Sequence, residues 1–282
     1  MPTFETPNPI DLAIHLPVGA IEVIASDRTD TVVTVSPTNP DKAVDRRGAE
    51  ETKVEFDGAR LTVKGPKPRF SFVGPWESID VKVELPTGSR LAAETSYGAV
   101  RTVGSLGATR IKAPGGAVEV DTVAGDLWLR AGHGQAIVGR VEANLEITAD
   151  HGQIRVGTVG GDATLKASHG SITVDEAGGD LDAKLSYGEL DITKARGSVA
   201  GKTAYGAITL GEVSTGSIQL ESGFGQVRVG VRSGVTAWLD VSSKNGRVRN
   251  ELETGTASEA TEQTVAVRAR TQFGDIVIQR AR

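Results

Sequence analysis

The chain has 282 residues, 38 % hydrophobic and 24 % charged, so it can bury a core and lies outside the disordered class. A net charge of −5 excludes the basic footprint of a nucleic-acid binder, and the absence of cysteine excludes a disulfide framework. Thirty-five glycines with only 4 % aromatic residues point to an aliphatic core broken by frequent turns.

The start, Met1-Pro2-Thr3-Phe4-Glu5, has neither the basic nor the apolar stretch of a secretory leader, and no run of about 18 apolar residues follows. A cytoplasmic protein without membrane insertion is therefore expected. Residues 1–90 read as β-rich, with strands at Ile21–Ala25, Thr31–Val35, Arg60–Lys64 and Ile79–Leu85. Basic residues are scattered; the nearest thing to a cluster, Lys64, Lys67 and Arg69, reads as a solvated loop. Ten of the eleven prolines fall within residues 1–86, and none follows Pro114. Proline removes a ladder donor, so central strands exclude it. Continuous pairing is thus placed beyond residue 90, and residues 1–90 become an N-terminal cap over an open strand edge.

From residue 91 the chain repeats. Glycines stand at 98, 116, 134, 152, 170, 188 and 206, in equal steps of 18. Tyr97, His133, His151, His169, Tyr187 and Tyr205 precede six of them, and Gly115 precedes the other. Phe224-Gly225, Asn245-Gly246 and Phe273-Gly274 continue the motif at longer intervals. Apolar residues sit two and four places after each glycine, which is the period of a half-buried strand. A second alternating strand follows in each unit, after turns such as Gly160-Gly161-Asp162. The repeat is strand, turn, strand, turn.

Three inward columns are predicted. One runs Val118, Ala136, Ile154, Ile172, Leu190, Ile208; another runs Val120, Val138, Val156, Val174, Ile192, Leu210; the third runs Leu127, Leu145, Ala163, Leu181, Val199. A single repeat cannot bury such a face, whereas stacked copies can. Residues 91–230 form the regular repeats. Residues 231–282 hold degenerate repeats, a polar loop at Glu251–Glu262, and a closing strand at Gly274–Ile278. All three segments belong to one continuous structural unit. The fold expected is an all-β, single-stranded right-handed β-helix with an 18-residue repeat. An antiparallel β-meander, with the ring–glycine pairs as hairpin turns, is the alternative. A triangular helix of hexapeptides fails because Gln135 and Gln153 interrupt the required apolar series.

The repeated His/Tyr/Phe-Gly-x-Ile-x-Val phrase, the opening Leu16-Pro17-Val18-Gly19-Ala20-Ile21-Glu22-Val23 and the closing Arg270-Thr271-Gln272-Phe273-Gly274-Asp275-Ile276 resemble the bacterial "putative adhesin" or toastrack family of β-strand repeats. The resemblance covers nearly the whole chain. It implies a right-handed β-helix and no catalytic residues.

Three sets of residues invite a chemical reading. His133, His151 and His169 share one repeat position and could ligate a metal, but Tyr187, Tyr205 and Phe224 continue the same column. A flat ring packed over the following glycine explains the whole column, so metal binding is a second alternative only. Asp126, Asn144, Asp162 and Asp180 match no nine-residue calcium unit and read as turn residues capping their own backbone. Glu119 and Asp191 stand four repeats apart, too far for an acid–base pair. Trp128 points outward and is the candidate surface contact. The expected role is a non-enzymatic scaffold that meets another protein or a second copy, without cofactor, nucleic acid or small-molecule site. A carbohydrate-binding face is the first alternative, and it would need exposed aromatics such as Trp128 and Trp238.

Overall fold

A computed structural model describes residues 1–66, 77–252 and 264–281. Lys67, Arg69, Trp76 and the expected loop from residue 253 lie outside the described residues. Contacts divide the chain into two compact units, Met1–Ala143 and Asn144–Arg282.

The first unit contains β1 (Thr3–Glu5), β2 (Asp11–Val18), β3 (Ile21–Ser26), β4 (Asp30–Pro37), helix α1 (Ala43–Glu51), β5 (Lys53–Phe56), β6 (Arg60–Lys64) and β7 (Ile79–Pro86). It continues with β8 (Arg90–Tyr97), β9 (Val100–Leu106), β10 (Thr109–Gly115), β11 (Val118–Val123), β12 (Leu127–His133) and β13 (Ala136–Val141). One sheet has the order β1-β4-β7-β3-β9-β11-β13, the other β12-β10-β8-β2-β6-β5. The strands after β7 pair in parallel, and the antiparallel pairs among the described residues are β1 with β4, β4 with β7 and β5 with β6. Antiparallel pairing thus falls in the proline-rich segment. Helix α1 has no counterpart among the elements expected from the sequence. Its sequence, AVDRRGAEE, has no apolar stripe, and it is anchored instead by buried Asp45, which accepts hydrogen bonds from the Ser78 (3.0 Å) and Asn39 (3.3 Å) amides.

The second unit runs β14 (Leu145–His151), β15 (Ile154–Val159), β16 (Ala163–His169), β17 (Ile172–Ala177), β18 (Leu181–Tyr187), β19 (Leu190–Ala195) and β20 (Val199–Tyr205). It ends with β21 (Ile208–Val213), β22 (Gly216–Phe224), β23 (Val227–Val231), β24 (Thr236–Asn245), β25 (Val248–Asn250), β26 (Thr264–Phe273) and β27 (Ile276–Arg280). Even-numbered strands from β14 to β26 build one sheet and odd-numbered strands from β15 to β27 the other. Every pairing described in this unit is parallel, and equivalent residues 18 apart are register partners, as in Ile172↔Leu190 and His169↔Tyr187. Two strands therefore make one coil of a β-solenoid. The meander alternative is excluded, because each ring–glycine pair joins strands of different sheets. All three predicted inward columns are buried.

At both ends the stacking order departs from chain order. In the first unit β2 lies between β6 and β8, and β3 between β7 and β9. In the second, β26 lies between β22 and β24, and β27 between β23 and β25. The strand expected to close the end, Gly274–Ile278, is thus an inner strand, and β24 with β25 closes the stack. Composition accounts for the swap. Ile276, Val277 and Ile278 are all buried and need a coil on each side, whereas β25 (Val-Arg-Asn) is exposed throughout.

Candidate functional site: side-chain ladders of the second unit

Parallel coils in perfect register convert each repeat position into a ladder. The most regular is the ring column: His151, His169, Tyr187, Tyr205, Phe224 and Phe273. Successive ring centroids are 4.8, 5.1, 5.0, 4.8 and 4.8 Å apart, and tilts fall from 18° to 6° or less. These spacings match the interstrand distance, so the backbone dictates the stack. Each interior ring covers its neighbours' faces, leaving ring edges toward solvent. His133 ends β12 in the first unit, opposite Gly115.

The glycine after each ring makes the stack possible. Gly170 and Gly188 have φ of +127° and +144°, and a Cβ on either would fall on the carbonyl oxygen of the preceding coil's glycine. Their amides donate to the ring residues' carbonyls one coil on, Gly170 to Tyr187 and Gly188 to Tyr205 (both 2.9 Å). Hydroxyls of Thr203 and Ser222 donate from inside to the carbonyls of Gly188 (3.2 Å) and Gly206 (3.0 Å).

The turn column behaves differently from expectation. Asn144 Oδ1 accepts from the Asp162 amide (3.0 Å), Asp162 Oδ1 from the Asp180 amide (2.9 Å), and Asp180 Oδ1 from the Ser198 amide (2.8 Å). These side chains cap the next coil's backbone rather than their own, because the parallel register presents that amide at the right height. The equal step of 18 residues was the available signal.

On the solvent face of the even-numbered sheet, Lys166, Lys184 and Lys202 are direct register partners. Lys184 also meets Asp182 (2.8 Å), and Lys202 meets Glu221 (3.1 Å). On the other sheet charges alternate, as in Lys194 with Glu212 (3.6 Å). In the first unit the Arg110 guanidinium lies 3.7 Å from the ring centre of Trp128, covering one face of the expected contact residue. There too, Glu94 lies 3.5 Å from His15 and accepts from Lys112 (2.6 Å), whose hydrogen bond holds the Glu94 carboxyl below the usual range. Glu119 and Asp191 fall in different units.

The family model described as Toastrack DUF4097 matches residues 11–281. The chain belongs to this Toastrack family. Three solved structures align along nearly its whole length. A "putative adhesin" from Bacteroides fragilis is 10 % identical, with 98 % of this Toastrack chain and 95 % of that one covered and a TM-score of 0.37. A "putative adhesin" from Parabacteroides distasonis is 12 % identical, with the same coverages and a TM-score of 0.35. A "putative cell adhesion protein" from Clostridium sporogenes is 12 % identical, with 99 % and 98 % covered and a TM-score of 0.25. Among curated proteins none matches this Toastrack chain.

Proposed function

We propose that this chain is a non-enzymatic, adhesin-like interaction scaffold whose solvent face holds an acidic protein surface, on another protein or on a second copy. The arrangement of outward side chains carries the reading. In the regular coils of the second unit the rings, the turn carboxylates and the lysines each meet their equivalents in separate columns, so these groups are dispersed along the stack instead of converging. The lysine column adds to it. Like charges in direct register are destabilising, yet Lys166, Lys184 and Lys202 occupy consecutive exposed rungs. With Asp182 and Glu221 answering two of its three charges, the strip stays net positive and suits contact with a complementary negative surface.

Lysine-reactive crosslinking with mass spectrometry tests the proposal, on cells and on the purified chain at about 1–100 μM. Intermolecular crosslinks from these three lysines, to a second copy or to one recurring protein with an acidic surface, are expected. Replacing all three with serine should abolish the association while leaving the fold intact. A chain that gives only intrachain crosslinks and sediments as a monomer would overturn the reading.

A further inference from the structure

The outermost strand of the second unit carries a feature unlike any ladder. Trp238 on β24 is 72 % exposed, the most exposed aromatic residue described. Its register partner on β26 is Ala266, a side chain too small to cover it. Among the described residues no ring and no guanidinium packs on the indole, in contrast to Trp128. Two places along the same face, Asp240 is gripped by Arg268 (2.9 Å) and Arg270 (3.4 Å). Gln219 and Ser217 project from the strand beyond, and with Trp238, Asp240 and Arg268 they line an open depression of about 370 Å³.

We propose that this depression is a binding subsite for a neutral pyranose, part of an oligosaccharide chain lying across the strands. A pyranose has an apolar C–H face and a rim of hydroxyls. The indole offers a flat apolar surface with no ring or guanidinium of the described residues stacked on it. The paired carboxylate and guanidinium offer an acceptor and donors side by side, matched to vicinal hydroxyls, and Gln219 and Ser217 supply both polarities. Within the lining Asp240 and Arg268 balance one for one, so neither an anion nor a cation meets a net opposite charge there, and Arg270 touches Asp240 from outside the lining. The volume lies at the lower end of small-molecule sites, which suits one or two sugar rings. A second depression of about 440 Å³, lined by Asp182, Ala200, Ser217 and Gln219 among others, shares Ser217 and Gln219 with the first and gives a longer chain a continuous path. The ring column cannot replace this site, because its interior faces are occupied.

The path adjoins the lysine column, since Asp182 meets Lys184 (2.8 Å), but Trp238 lies on β24, outside that column, so its variant separates this site from the scaffold reading. The test is calorimetric titration of the full chain with cello-, malto- and chito-hexaose, beside W238A and Q219A, with a thermal melt of each variant. At least one hexaose should bind with a Kd at or below about 1 mM. W238A should weaken it by tenfold or more with an unchanged melt, and Q219A by a smaller factor. No binding of any hexaose up to about 5 mM would overturn the proposal. Undiminished binding by W238A would also overturn it, whatever the crosslinking shows. A sulfated heparin hexasaccharide that binds through Trp238 while the neutral sugars do not would refute the neutral specificity.

Discussion

Gly188 combines a positive φ with a Cβ position already filled by the carbonyl of Gly170, so two independent penalties act on one substitution. Gly188→Ala should cost about 2–4 kcal/mol, read as a drop in chemical-denaturation midpoint. Asp180 makes a smaller, more specific contribution. Asp180→Ala removes the acceptor for the Ser198 amide and should cost about 1 kcal/mol, whereas Asp180→Asn should be near neutral, because Asn144 already fills that role with an amide oxygen. Equal losses for both variants would mean that the charge, not the hydrogen bond, matters. At the ring column, His151→Phe with His169→Phe should leave the melting temperature nearly unchanged, as Phe224 and Phe273 stack at the same 4.8 Å spacing. A zinc-dependent rise in wild-type melting, lost in that variant, would show a metal site, since a ligand specific for the folded state must stabilise it.

A strand in these coils is held chiefly by its inward column and its two neighbours. Ile172→Ala should cost about 2–5 kcal/mol, and Val174→Asp should unfold the second unit by burying a charge. That much was legible in the sequence: the period of 18 placed three inward columns, because in a parallel register spacing along the chain equals position in space, whereas the buried columns through Val159, Leu165 and Ala167 were not among them. The turn carboxylates were visible as a column, but their cross-coil bonding was not, since Asp at a turn more often caps its own backbone. Helix α1 was missed because buried polar anchoring by Asp45 leaves no apolar period. Between β4 and β7, an ion cluster rather than a ladder links neighbours. Arg28 reaches Asp30 (2.8 Å) and Glu84 (2.7 Å). Glu84 is held below the usual carboxylate range by Lys82 and then Arg28, and Asp30 by Arg28. Lowered carboxyl pKa values contribute stability that is full above the unfolded value near 4 and is lost as pH falls through the folded value. The melting advantage of wild type over Arg28→Met should therefore shrink below about pH 4. A gap that stays constant from pH 6 to pH 3 would assign Arg28 to packing alone.

Across each whole unit, the departure from chain order at the ends has the largest effect. Periodicity could not reveal it, because β26 and β24 carry the same alternation and either could have been written as the end strand. Burial distinguishes them: the inward residues of β26 are buried and those of β24 half-buried, and Ile276, Val277 and Ile278 of β27 are buried without interruption. Amide hydrogen exchange should report the order directly. Amides of β26 and β27 should be protected as strongly as those of β20 and β21, while β24 and β25 exchange faster as the exposed last coil. Fastest exchange at the C-terminal strands would place them outermost and contradict the swap.

That swap bears on how the protein is made. The ribosome releases β22 and β23, then β24 and β25, and only then β26 and β27, yet the last pair must lie against the first. A nascent chain that paired β24 onto β22 as soon as both had emerged would occupy the slot its own final residues require. The outermost coil can take its final place only once β26 and β27 have emerged, and its polar run Ser242-Ser243-Lys244-Asn245 suits exposure to water before then. A premature stop codon just before β26 would remove an inner layer, not a frayed tail.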